Sequence, residues 1–162
     1  MIDKFDGEYA FLSNYYSLDP RYYLTDGQFQ YPTVEHFFQA QKATSYTEKM
    51  LIASAPTPGK AKRLGRRCQM IKNWEDIKDD VMEVALRQKF KDPELREKLL
   101  ETGNELLVEG TTWHDRYWGV CNCYEHRGQG KNVLGRLLMK LRAEFGGAEF
   151  EDTQEWYDVW NI

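Results

Sequence analysis

Pro32-Thr33-Val34-Glu35-His36-Phe37-Phe38-Gln39-Ala40-Gln41-Lys42 is the stretch on which the fold turns. Pro32 and Thr33 end an extended segment, and Thr33 offers a hydroxyl to the first free N–H groups of a helix. The helix predicted here runs from Val34 to about Ala43. On it Glu35, Gln39 and Lys42 stand at i, i+4 and i+7, which at ~100° per residue is one face. Phe38 lies at the edge of that face. Phe37, Phe38 and Ala40 leave few other faces for burial, so the polar stripe either faces water or lines a pocket.

Working outward, the thirty or so residues before Pro32 read as strands and turns. Tyr22-Tyr23-Leu24 and Phe29-Gln30-Tyr31 flank Asp26-Gly27, a strong hairpin signal. Downstream, Ser45-Tyr46-Thr47-Glu48 is a capping box that opens a helix to about Ala53. Thr57-Pro58 starts another that ends near Gly65. Asn73 is placed to cap a helix over Trp74–Phe90, with Ile77, Val81, Ala85 and Val84 at helical spacing. Asp92-Pro93 begins the next, which carries Leu95, Leu99 and Leu100 and stops at Gly103. Leu106-Leu107-Val108 reads as a short strand and Thr111–Arg127 as loop and strand. The last helix starts at Asn132, with Leu134, Leu137, Leu138 and Leu141 on one face, and Gly146-Gly147 stop it. The class is α+β and helix-dominated: one compact domain over 1–147, with an N-terminal β-hairpin region and several packed helices. An acidic aromatic tail over 148–162 follows.

A chain of 162 residues with 41% hydrophobic and 30% charged residues is an ordinary globular domain, not a disordered or fibrous one. No apolar run is long enough to span a bilayer, and the first residues lack the pattern of a secretory signal. A cytoplasmic protein without membrane contact is the expectation. The net charge is −4, which disfavours a protein whose main task is coating nucleic acid. The sum hides an asymmetry: residues 42–72 hold eight basic residues against Glu48 alone, and residues 144–162 hold six acidic residues and no basic one. The basic block either faces a phosphate-bearing substrate or is a solvated helix face. Three cysteines argue against a disulfide framework. Cys121, Cys123 and His126 form a C-x-C-x-x-H set, but a structural zinc wants four ligands and no second pair is visible. No metal and no cofactor are expected.

Two further constellations stand out. Thr112-Trp113-His114-Asp115-Arg116-Tyr117-Trp118-Gly119 interleaves aromatics with a carboxylate, as a pocket that stacks a base or sugar would; an aromatic edge strand would look the same. Gly128-Gln129-Gly130-Lys131-Asn132 ahead of a helix is either a phosphate cradle or a capped helix start. It matches no dinucleotide or Walker pattern. Ser13-Asn14 is polar punctuation in an aromatic run, orienting a ligand or marking a turn.

In order along the chain, Leu12-Ser13-Asn14-Tyr15, Asp26-Gly27, the Pro32–Lys42 stretch, Ala61-Lys62-Arg63-Leu64-Gly65-Arg66, Asn73-Trp74-Glu75, Asp115-Arg116-Tyr117-Trp118-Gly119 and Gly130-Lys131-Asn132-Val133-Leu134-Gly135 resemble the NADAR domain family, also called YbiA-like. The resemblance covers about Phe5 to Phe145. It departs at Val120-Cys121-Asn122-Cys123, where relatives are often richer in glycine, and in the tail.

The resemblance implies N-glycoside hydrolysis. Its members remove ADP-ribose from the exocyclic amine of guanine in nucleic acid, or are linked to ribosylamino intermediates of riboflavin synthesis. A glycoside of an exocyclic amine can open to an imine, and a lysine can exchange with the departing amine as a Schiff base. Carried onto this sequence, Lys42 is the nucleophile, Glu35 the general acid and base, and Asp115 a second carboxylate. Ser13, Asn14, Gln39, Arg66, Trp74, Trp118, Gly119, Lys131 and Asn132 would hold the substrate. The partner implied is an ADP-ribose- or ribose-phosphate-bearing molecule, including a short single-stranded DNA or RNA that carries ADP-ribosyl-guanine. The rival is a module that binds ADP-ribose or NAD without turnover, which has no need of Glu35 and Lys42 together.

Overall fold

In the computed structural model, which describes residues 1–152, the Thr33 hydroxyl accepts from the His36 N–H at 3.1 Å and opens helix α1, Val34–Lys42. The tail around Trp156 and Trp160 lies outside the described residues. Chain packing gathers into two units: Asn14–Pro93, and Met1–Ser13 together with the chain from Glu94 onward.

In the Asn14–Pro93 unit α1 is the centre. Helices α2 (Tyr46–Ala53), α3 (Pro58–Arg67) and α4 (Trp74–Lys89) all pack on it. Two are capped as their sequences require: Ser45 Oγ accepts from Glu48 N–H and Thr57 Oγ1 from Lys60 N–H, both at 3.1 Å. The hairpin forms, with β1 (Leu24–Thr25) antiparallel to β2 (Gln30–Tyr31) and Leu24 opposite Tyr31. Asp26 locks its turn and ties it to α1. One carboxylate oxygen accepts from the N–H groups of Gln28 and Phe29, the other from the Tyr31 hydroxyl at 2.6 Å and the Gln41 amide at 3.0 Å. Burial opposes the charge, but these donors outweigh it and hold the Asp26 carboxyl down at about 2.

Three sequence expectations change here. The segment before the hairpin is not strand: Pro20–Tyr22 is a short 3-10 helix, with Asp19 accepting from the Arg21 N–H at its start. Helix α3 passes through Gly65 to Arg67, because Gly65 serves a close approach rather than a stop. The buried face of α4 is also turned from the one expected. Val84 is 48% exposed, while Met82, Ala85, Leu86 and even Lys89 are buried. The Lys89 ammonium lies 5.8 Å from the Tyr16 ring centre and 5.5 Å from that of Phe90, so aromatic faces offset part of its desolvation.

In the other unit the first residues again form a 3-10 helix, Gly7–Leu12, whose Phe11 and Leu12 are buried. Ile2 pairs in parallel with Leu107: Ile2 N–H donates to Leu106 O and Val108 N–H to Ile2 O, both at 2.8 Å. Helix α5 (Pro93–Glu101) buries Leu95 and Leu99. Strand β3 (Gly110–Thr111) runs parallel to β4 (Val120–Cys121), and α6 (Val133–Glu144) buries Leu134, Leu138 and Leu141. No helix of the described residues is long and apolar enough to cross a membrane.

Candidate functional site

Because three helices cover α1, its polar stripe does not face water. Glu35 is 6% and Gln39 3% exposed, and a buried polar group costs free energy unless it is bonded. The Gln39 amide N–H donates to Glu35 Oε1 at 2.7 Å, which fixes the carboxylate in the first turn of α1. The Glu35 backbone N–H donates to Asn14 O at 3.0 Å. That bond brings Ser13's neighbour, and with it Tyr15, to the same helix end. Burial first, then the Glu35 charge, push the Tyr15 hydroxyl above its ordinary range, against the pull of Arg66 and Arg63. Tyr15 was absent from the expected set; its position beside Ser13-Asn14 was the available signal.

Two acceptors in this region are left over. Gln39 Oε1 and Asn14 Oδ1 are buried, and neither has a hydrogen-bond partner among the described residues. Native proteins rarely leave such atoms unbonded. Both are suited to accept from a hydroxyl-rich ligand such as a sugar.

Lys42 ends α1 with its Nζ 5.7 Å from the Phe38 ring centre and 6.0 Å from that of Trp74. These two rings lean on each other at 5.0 Å. Trp74 is 3% exposed, so it is a wall rather than a stacking platform. Among the described residues no carboxylate lies within ion-pair distance of the Lys42 amine. Burial pulls its pKa below the usual lysine value; Glu35 and Cys68 oppose this, and the Lys62 and Arg66 charges reinforce it. Glu35 and Lys42 are separated by ~10 Å of helix rise, so both side chains reach a common point only by converging on a ligand. Arg66, near the end of α3, is exposed.

Gly65, read from the sequence only as a helix end, is the second residue that the site adds. A Cβ there would stand 2.0 Å from Gln39 Oε1 and 2.8 Å from Gln39 Cδ, so only glycine lets α3 lie against the Gln39 amide. Gly65→Ala is expected to cost about 1–3 kcal/mol, the range for overpacking. It should also lower kcat/KM as Gln39 is pushed off Glu35. Urea unfolding beside steady-state assays measures both.

The remaining candidates, Ser13, Asp115, Trp118, Gly119, Lys131 and Asn132, belong to the other unit. Asp115 Oδ1 accepts from the N–H groups of Tyr117 and Trp118, both at 3.0 Å, and so shapes its own loop. Lys131 Nζ lies 5.4 Å from the Tyr117 ring centre. A Cβ on Gly119 would meet Glu109 O at 2.3 Å, which gives this glycine a packing reason.

Of the two readings open for the segment before α6, a phosphate cradle or a helix start, the backbone does not support the cradle. The N–H groups of Lys131, Asn132, Val133 and Leu134 donate to the carbonyls of Arg116, Gly119, Tyr117 and Trp118, so they are not open to an anion. Asn132 is fully buried in a left-handed conformation, φ 50°. Its amide donates to Leu107 O at 2.9 Å and accepts from Glu109 N–H at 3.0 Å. It is a brace for the backbone at 107–109.

The model of the NADAR domain matches residues 3–146. The chain is 45% identical to N-glycosidase YbiA of Escherichia coli over 117 residues, which is 70% of each protein. It is 32% identical over 146 residues to an N-glycosidase of Acanthamoeba polyphaga mimivirus, covering 82% of this chain and 85% of that one. A riboflavin biosynthesis protein of Zea mays, PYRR, shares 39% identity over 132 residues, which is 74% of this chain and 20% of the maize protein. The solution structure of Escherichia coli YbiA superposes with a TM-score of 0.70 at 38% identity, over 90% of this chain and 84% of that one.

Proposed function

The chain belongs to the NADAR domain family and is an N-glycosidase, and from this premise we propose that the bond it hydrolyses joins a ribose to an exocyclic amine, with ADP-ribosyl-guanine in nucleic acid as the substrate. The observation that carries the reading is the setting of Lys42. An amine held against two aromatic rings, with no carboxylate partner among the described residues and with its charged form disfavoured, is a nucleophile rather than a surface cation.

The chemistry that follows is imine exchange. The glycoside opens to an imine at the anomeric carbon. The neutral Lys42 amine adds to that carbon, the exocyclic amine of the base leaves with a proton, and a lysine Schiff base remains. Water then adds to the same carbon, expelling the lysine amine and giving the free sugar. Glu35 relays the proton from the attacking amine to the departing one, its carboxylate kept in place by Gln39. The unsatisfied Gln39 Oε1 and Asn14 Oδ1 accept from ribose hydroxyls. Asp115 keeps the role of second carboxylate implied by the family, to be tested by Asp115→Asn.

A module that binds ADP-ribose without turnover would gain nothing from a lysine of lowered basicity on the same helix face as a buried glutamate. A ribosylamino pyrimidine of riboflavin synthesis has the same sugar-to-amine bond, and the name of the maize relative supports it as a second reading. Mass spectrometry separates the two. The protein is incubated with a single-stranded DNA or RNA oligonucleotide carrying ADP-ribosyl-guanine and, separately, with a ribosylaminopyrimidine phosphate. Release of ADP-ribose with restoration of guanine is the expected result. Turnover of the pyrimidine alone would favour the second reading, and turnover of neither would exclude both.

Both substrates carry phosphate, and Arg66, whose charge reaches Tyr15 and Lys42, is the cation proposed to meet it. A charge-assisted bond contributes about 1.5–3 kcal/mol. Arg66→Ala is therefore expected to raise KM roughly 10–100-fold with less effect on kcat, and the wild-type KM should rise with salt. An unchanged KM at two ionic strengths would remove Arg66 from substrate binding.

A further inference from the structure

The C-x-C-x-x-H set that lacked a fourth ligand in the sequence acquires one in the fold. His114 stands in a left-handed conformation, φ 70°, and its side chain lies with those of Cys121, Cys123 and His126. One ligand atom from each of these four residues lies within 4.8 Å of all the others. His114 Nδ1 is 3.4 Å from His126 Nδ1 and 3.6 Å from Cys123 Sγ, and Cys123 Sγ is 3.3 Å from His126 Nδ1. A tetrahedral zinc, with Zn–S of roughly 2.3 Å and Zn–N of roughly 2.0–2.1 Å, sets its ligand atoms about 3.3–3.8 Å apart.

Hydrogen bonds alone satisfy this cluster poorly. Two imidazole Nδ1 atoms face each other and the same sulfur, and each neutral ring nitrogen is either a donor or an acceptor, never both. A cation at the centre uses all the lone pairs at once. The surrounding backbone supports a thiolate at Cys123: the His126 N–H donates to Cys123 Sγ at 3.3 Å. Glu125 Oε2, 4.0 Å from His114 Nδ1, is the nearby carboxylate that adds negative charge.

We propose that His114, Cys121, Cys123 and His126 bind one zinc ion. Two sulfurs and two imidazoles in tetrahedral array are a zinc donor set, and four protein ligands leave no open position, so the site is structural rather than catalytic. It closes the segment from His114 to His126, which contains Asp115, Tyr117, Trp118 and Gly119. The metal thus fixes the loop that carries the candidates Asp115, Trp118 and Gly119 without taking part in the imine chemistry.

The test is the zinc content of the reduced, full-length protein together with cobalt(II) substitution. About one zinc per chain is expected, and the cobalt form should show tetrahedral ligand-field bands with a thiolate-to-cobalt charge-transfer band. His114→Ala and Cys123→Ser alter side chains that are exposed or half-buried, so both variants should fold. Each should lower metal affinity at least ~10-fold, while Cys68→Ser keeps it. Zinc loss should also speed tryptic cleavage within 111–131. Wild-type protein with no bound zinc and no thiolate band with cobalt would overturn the site. So would metal binding that is unaffected by His114→Ala and Cys123→Ser, or that is lost in Cys68→Ser.

Discussion

Lys42→Ala is expected to lower kcat by about 10³-fold or more, because it removes the group that forms the covalent intermediate rather than one that assists it. The fold should survive. The folded protein holds Lys42 with a lowered pKa, so it binds the lysine proton less readily than the unfolded chain does. Stability then rises with pH between the lowered folded value and the ordinary unfolded value, and below that window the half-buried ammonium is a burden. Lys42→Met, which keeps the apolar stem between Phe38 and Trp74, should therefore be at least as stable as wild type at neutral pH and still inactive. Wild-type activity should climb with pH along a limb centred below the ordinary lysine value, as the amine loses its proton. Thermal melts and a pH–rate profile check each point. A Met variant that is both unstable and partly active would give Lys42 a structural role.

Glu35→Gln is the second large effect. The substitution keeps volume and an acceptor for the Gln39 amide, but it cannot carry a proton. A loss of about 10²–10⁴ in kcat is expected, the usual range for a positioned acid–base group. KM should change little, since the hydroxyl acceptors Gln39 and Asn14 remain. Glu35→Ala should be worse in a different way, leaving the buried Gln39 N–H without its 2.7 Å partner and lowering stability by about 1–3 kcal/mol. Stopped-assay kcat and urea midpoints on the two variants separate chemistry from packing.

The parts of the fold that could be read in advance are those governed by short-range chemistry. Thr33, Ser45 and Thr57 announce three helix starts because a cap is a contact between residues three apart. Asp26-Gly27 announces the hairpin for a similar reason. What could not be read depends on neighbours far along the chain. The buried face of α4 takes in Lys89 and leaves Val84 outside, a choice made by Tyr16 and Phe90 rather than by the helix's own pattern. The α1 stripe could have faced water or a pocket; only the cover of α2, α3 and α4 sends Glu35 and Gln39 inward. Asn132 resembled an anion site because its segment has glycines and a helix start, yet its amide and the adjacent N–H groups are taken by residues 107–119. His114 lies seven residues before Cys121, and the turn at its positive φ, with the parallel β3–β4 pairing, brings it back to the cysteines. No spacing rule encodes that return.

The central claim is that the sugar passes through a covalent bond to Lys42. Borohydride added during turnover reduces a C=N bond to a stable secondary amine, and peptide mass spectrometry then locates the adduct. The account predicts a sugar-derived mass increase on the peptide that contains Lys42, dependent on substrate and absent from Lys42→Ala. An enzyme that turns over normally in borohydride with no adduct on any lysine would contradict it and leave direct attack by water, activated by Glu35 or Asp115, as the mechanism.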